Sequence, residues 1–142
     1  MRRSAHAPAL VLVLLAALLA CKPKHRVTGS IVVNGAEFVA KQCSIAEVKS
    51  SFSGGPTVTR SVTLVDDKNR RLSFSDNGGG TLLYAEGGGL PDNVGSGCGT
   101  IAFTGSSADL SAMTVAIHVD CRGGGVHTRA KASISGCGQF GL

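Results

Sequence analysis

The chain has 142 residues, a formal net charge of +5, 16% charged and 4% aromatic residues, and no tryptophan. Setting residues 1–20 aside leaves twelve Lys and Arg against nine Asp and Glu, and that surplus of +3 is too small and too dispersed for a nucleic-acid surface. Six aromatic rings also exclude a base- or sugar-stacking platform, and the 122 residues that remain suit one domain with a real core.

At the N-terminus, Arg2 and Arg3 precede an unbroken apolar block of twelve residues from Ala9 to Ala20. A helix needs ~20 residues to cross a bilayer, so this block is too short to span. A positive start, a short apolar region and a small-residue exit mark an export signal. Ordinary signal peptidase requires small side chains one and three residues before its cut; Ala20 fits and Leu18 does not.

Leu18-Leu19-Ala20-Cys21 instead resembles the lipobox of bacterial lipoproteins, against the alternatives of a plain secreted protein or an uncleaved anchor. That resemblance implies a signal peptide over residues 1–20, cleavage before Cys21, a diacylglycerol thioether on its sulfur and, usually, an acylated amino group. Residues 21–26 then form a short basic tether that includes Lys22, Lys24 and Arg26, and residues 27–142 form a single β domain. Lys22 stands where such lipoproteins carry Asp when retained on an inner membrane, so the resemblance points to the outer membrane of a Gram-negative envelope.

The stretch Ser30 to Ala40 carries the strongest hairpin signal. Asn34-Gly35 suits a type I′ turn because both residues tolerate positive φ. Pairing Val33 with Ala36 sets Ile31 opposite Phe38 and, if the strands continue, Arg26 opposite Cys43. Further strands are expected over Val58 to Val65, Arg71 to Ser75 and Thr81 to Ala85, with turns at Asp66 to Asn69 and Asp76 to Gly80. Pro56 and Pro91 are expected in loops. Three glycine triplets punctuate runs rich in Val, Ile, Thr and Ser, and no long helical period or repeat is visible.

Gly97 to Leu110 reads as a strand that returns through a turn into the strand of Met113. Met113, Val115, Ile117, Val119 and Cys121 alternate on one side; Val126, Thr128, Ala130, Ala132 and Ile134 alternate on the returning strand. Folding at Gly123 to Gly125 pairs Cys121 with Val126, Val119 with Thr128 and Met113 with Ile134. The sum is an all-β fold, an antiparallel β-sandwich or small barrel of about eight short strands, whose first and last strands are neighbours.

With Cys21 taken by lipid, Cys43, Cys98, Cys121 and Cys137 remain, an even set that suggests two disulfides in an exported chain. No C-x-x-C spacing favours zinc. In the register above, Cys121 and Cys137 stand some ten residues apart along the ladder. At ~3.4 Å per residue that is more than about 30 Å, against the ~7 Å a disulfide tolerates. The returning strand brings Cys98 to the Cys121 end. A first strand antiparallel to the last brings Cys43 to Cys137. The expected bonds are Cys43–Cys137 and Cys98–Cys121.

The outward face of the long hairpin carries His118, Asp120 and His127 in one patch, with Asp120 opposite His127 and His118 opposite Arg129. Two imidazoles and a carboxylate are chemically able to hold a divalent metal, but Arg129 repels one, and a solvated face with cross-strand charge pairs accounts for the same residues. The acidic clusters at Asp66-Asp67, Asp76 and Asp92 lack the spacing of a calcium loop and read as turns. No glycine triplet leads into Gly-Lys-Ser/Thr, and no nucleophile elbow or Ser-His-Asp set can be placed.

The segments GSIVVNGAEF, GCGTIAF and VDCRGGGVHTRAKASISGCG are similar to a loose class of small four-cysteine lipoproteins of Gram-negative, myxobacteria-like envelopes that have no assigned activity. The resemblance implies fold and location rather than chemistry. The expectation is a non-enzymatic, cofactor-free envelope protein, held to a membrane through Cys21, with an envelope protein or glycan as partner and no nucleic acid. The alternative is a small periplasmic binding or inhibitor protein of the lysozyme-inhibitor kind, though the Trp-containing signature of those inhibitors is missing.

Overall fold

The computed structural model describes residues 25–139. The expected leader, the expected lipidation site Cys21 and the expected tether through residue 24 lie outside them. Eleven strands follow in chain order: β1 (Arg26–Val33), β2 (Ala36–Glu37), β3 (Gln42–Phe52), β4 (Gly55–Val65), β5 (Arg70–Ser75), β6 (Thr81–Glu86), β7 (Asp92–Ser96), β8 (Gly99–Thr104), β9 (Thr114–Gly123), β10 (Val126–Ser135) and β11 (Gly138–Gln139). They form two sheets, of order β2-β1-β10-β9-β8 and β11-β3-β4-β5-β6-β7, so the fold is a β-sandwich.

Alternation builds the core. Ile31 and Val33 of β1, Val115, Ile117 and Val119 of β9, and Ala130, Ala132 and Ile134 of β10 turn inward from the five-stranded sheet. Val62, Leu64, Leu72, Phe74, Leu82 and Val94 meet them from the six-stranded sheet, and most are fully buried. Each Val, Leu, Ile or Phe among them contributes about 1.5–3 kcal/mol by leaving water. The lone tyrosine, Tyr84, donates its hydroxyl to Glu86 Oε1 at 2.7 Å. Burial, and then the Glu86 carboxylate, push that phenol up to about 12.

Asn34 and Gly35 both have positive φ, 51° and 82°, and Val33 pairs with Ala36 as expected. The Phe38 amide donates to the Ile31 carbonyl at 2.8 Å, which completes the short hairpin. There the pairing stops. Arg26 does not face Cys43: it pairs with Ser135 on β10, and Cys43 belongs to β3 in the other sheet. Phe38 is the reason, since it buries at the seam and the chain crosses from one sheet to the other just behind it. The first and last long strands, β1 and β10, are indeed antiparallel neighbours.

The long hairpin keeps its expected faces but not its expected register. Cys121 pairs with Thr128, Val119 with Ala130 and Val115 with Ile134, a shift of two residues. Gly124 and Gly125, at φ 58° and 75°, make a two-residue turn of the kind whose twist matches the strands it joins. Alternation has a period of two, so it cannot distinguish registers that differ by two. Turn chemistry decides between them.

Strands β3 and β7 come on top of the expected eight, along with the two-residue β11. β3 carries little alternation to read: Ile45 is fully buried, but Val48, three residues on, is 59% exposed. Pro56 lies within β4 rather than in a loop. It pairs with Ser51 at the hairpin end, where β5 no longer flanks β4 and a missing N–H is tolerated.

Both disulfides form as expected. Cys43 joins Cys137 with Cα atoms 4.9 Å apart, and Cys98 joins Cys121 at 5.3 Å. Cys98 reaches β9 through β8, whose Gly99 pairs with Val119. Cys137 reaches β3 because β11 runs parallel to it, with Gly138 opposite Ser44. One bond therefore clasps the two sheets together, and the other sits at the opposite end of the long hairpin.

Candidate binding surface

The outward residues of the five-stranded sheet form rows that cross four strands. Ser30, Lys131, His118 and Thr100 make one row; Val32, Arg129 and Asp120 make the next. A shallow groove of about 560 Å³ follows these rows, with Gly99 and the backbone of Val119 and Ala130 in its floor. It continues into a second depression over Thr28, Ala102, Ala116 and Ser133, all small residues that leave the sheet surface open.

The three residues weighed as a metal patch, His118, Asp120 and His127, do not converge. His118 faces Lys131 and Asp120 faces Arg129, because the two-residue turn slides β10 past the position that the four-residue loop implied. Asp120 still meets His127, diagonally, with Nε2 and Oδ1 2.6 Å apart. His118 stands roughly 7 Å from Asp120 along the strand with a lysine at its side. Among the described residues no group of three His, Cys, Asp or Glu is placed to hold a metal ion.

Charge on this face is unevenly compensated. The ion pairs among the described residues are Lys49–Glu47, Arg60–Glu47, Arg70–Asp66 and His127–Asp120. Arg129 and Lys131 thus face the groove with no carboxylate of the described residues within 4 Å. Two cations, an imidazole and the hydroxyls of Ser30 and Thr100 outnumber the one carboxylate in the groove, Asp120, which is held by His127, so the surface is donor-rich and suited to an extended anionic partner. The outward placement of His118, Arg129 and Lys131 follows from strand alternation. Ser30 and Thr100 were missed as neighbours, although pairing Gly99 to Thr104 with β9 would have placed Thr100.

A second polar cluster lies where the β8–β9 connection touches the other sheet. Ser107 Oγ donates to Glu47 Oε2 at 2.6 Å, and Arg60 Nε donates to the same oxygen at 3.2 Å. The Ser107 hydroxyl chiefly holds the Glu47 carboxyl below its ordinary range; burial opposes this, and Arg60 and Lys49 assist. A carboxylate so stabilised is a poor general base, and no imidazole among the described residues joins the cluster. It serves as a latch between sheets.

Comparison of the chain with protein-family models, with curated proteins and with solved structures finds no match.

Proposed function

We propose that this chain is an exported, lipid-anchored cell-envelope domain that binds another envelope component and has no catalytic role. The observation that carries the reading is its sulfur chemistry. Every cysteine among the described residues is in a disulfide, and the two bonds lie at opposite ends of the sandwich. Such bonds persist in oxidising compartments and are rare elsewhere. The fifth cysteine, Cys21, ends an apolar leader in a lipobox-like sequence, which supports an acyl anchor on its sulfur.

Two or three acyl chains hold a protein stably, at ~0.8 kcal/mol per buried methylene. Lys22, Lys24 and Arg26 each add about 1 kcal/mol against an anionic leaflet. From Cys21 to the first strand the tether extends at most about 18 Å, so the domain works close to its membrane. There, the groove lined by Arg129, Lys131, Ser30 and Thr100 favours an anionic envelope protein or glycan.

The anchor is tested by metabolic labelling with radioactive palmitate in the native host. The unaltered chain is expected to incorporate label and remain with outer membranes through a high-salt wash. Cys21→Ser is expected to lose all label and to keep its uncut leader. An unlabelled native chain, or label retained after Cys21→Ser, contradicts the anchor.

A further inference from the structure

The outer face of the six-stranded sheet holds a smaller and chemically sharper feature than the basic groove. Thr63 of β4, Arg71 and Ser73 of β5, Leu83 and Ala85 of β6, and Pro91 just before β7 line a pocket of about 200 Å³. The register aligns Thr63, Ser73 and Leu83 in one row and sets Arg71 beside Ala85 in the next. The β6–β7 connection supplies the wall, since Arg71 Nη2 donates to the Gly89 carbonyl at 3.1 Å.

That bond fixes the guanidinium against the connection. Arg71 Nε is shielded from water and meets no acceptor, and no carboxylate among the described residues pairs with this side chain. An unmet donor on a charged group is among the costlier things a protein surface retains. Beside it, Thr63 Oγ1 and Ser73 Oγ lie 2.9 Å apart. Their mutual bond uses one hydroxyl hydrogen, so the other remains to donate outward. Leu83, Ala85 and Pro91 make the rest of the lining apolar.

We propose that this pocket binds a small carboxylate bearing a short aliphatic group, as the C-terminal residue of a peptide presents. The carboxylate pairs with the exposed terminal nitrogens of the Arg71 guanidinium and accepts from the free hydroxyl, and the aliphatic group packs on Leu83, Ala85 and Pro91. At ~30 Å³ per water, the pocket holds roughly six or seven such volumes, enough for one small amino-acid residue with its terminal carboxylate. Inorganic phosphate fits less well, because its tetrahedral oxygens place acceptors against the apolar wall. The site stands on its own chemistry and does not depend on the anchor at Cys21.

The test is a titration of the full ¹⁵N-labelled chain in detergent micelles with N-acetylalanine, followed by NMR. Saturable shifts are expected at the Thr63, Arg71 and Ser73 amides and at the Arg71 Nε–H, at millimolar ligand. N-acetylalanine amide, which lacks the charge, is expected to produce none. Arg71→Lys keeps the charge but loses the planar fork and is expected to weaken binding at least tenfold. The acid-against-amide comparison on the unaltered chain decides the matter even if that variant folds poorly. Equal response to acid and amide, no response to either, or tighter binding of inorganic phosphate overturns the proposal.

Discussion

Replacing Cys43 and Cys137 together by alanine is expected to lower the unfolding free energy by about 4–5 kcal/mol, against about 3 kcal/mol for the Cys98 and Cys121 pair. The difference follows from the chain each bond closes. The Cys43–Cys137 bond spans a separation of 94 residues and the Cys98–Cys121 bond one of 23, so the first removes more entropy from the unfolded ensemble. The first ties β3 to the connection between β10 and β11. A domain of this size has ~5–15 kcal/mol of stability to lose, so the larger effect removes about a quarter of it or more. Urea unfolding of the two double variants, compared by midpoint at matched slopes, checks the order. An equal or reversed order contradicts the account of the clasp.

Asp66→Ala is expected to cost about 2–4 kcal/mol, although the residue belongs to a surface turn. Its side chain is 1% exposed. Oδ1 accepts from the Lys68 amide at 3.0 Å and the Arg70 amide at 2.8 Å, and Oδ2 accepts from Arg70 Nε at 2.6 Å. Arg70 in turn lies over the Phe38 ring, 5.5 Å from its centroid, so the carboxylate organises both the β4–β5 turn and the crossing between sheets. Alanine leaves two amides and a partly buried guanidinium without their acceptor. Asparagine keeps one acceptor and is expected to cost about half as much.

The same group gives the stability its acid limb. Burial would raise the Asp66 pKa, but the Arg70 amide, guanidinium and charge and the Lys68 amide together outweigh it and hold the carboxyl below its ordinary value. A depressed folded pKa contributes stability that is complete above the unfolded value of ~3.9 and is lost as pH falls through the folded value. Denaturation curves taken from pH 6 down to pH 2 are expected to show this loss in the native chain and a flatter limb in Asp66→Asn. Equal slopes in the two proteins contradict the assignment.

How much of the fold was legible depended on which residues carried a repeating signal. The faces of β9 and β10 were plain because ten residues alternate without exception from Met113 to Ile134, and the same signal excluded a Cys121–Cys137 bond. The correct pairing of Cys43 with Cys137 arose by a partly mistaken route. It relied on a long first hairpin, whereas β11 beside β3 makes the approach. The register of the long hairpin was not legible from alternation, since a slip of two residues buries the same side chains. Its resolution lies in the Gly124-Gly125 turn, and with it went the metal patch at His118, Asp120 and His127.

The candidate sites were less legible still. Ser30, Thr100 and Lys131 come from three strands, and only the assembled sheet sets them in one row. Arg71 looks like an ordinary strand residue in sequence. What distinguishes it is the Gly89 carbonyl that holds it and the acceptor its Nε lacks, and both depend on how the β6–β7 connection folds back.

Export, with acylation of Cys21 and oxidation of the other four cysteines, is the premise on which location and stability both rest. Mass analysis of the protein purified from its native host, alkylated without reduction, tests this directly. The expected result is a chain that begins at Cys21, carries a diacylglyceryl adduct there, takes up no alkylating reagent, and yields linked peptides for 43–137 and 98–121. A chain that retains residues 1–20 with Cys21 unmodified and the later thiols alkylated contradicts it.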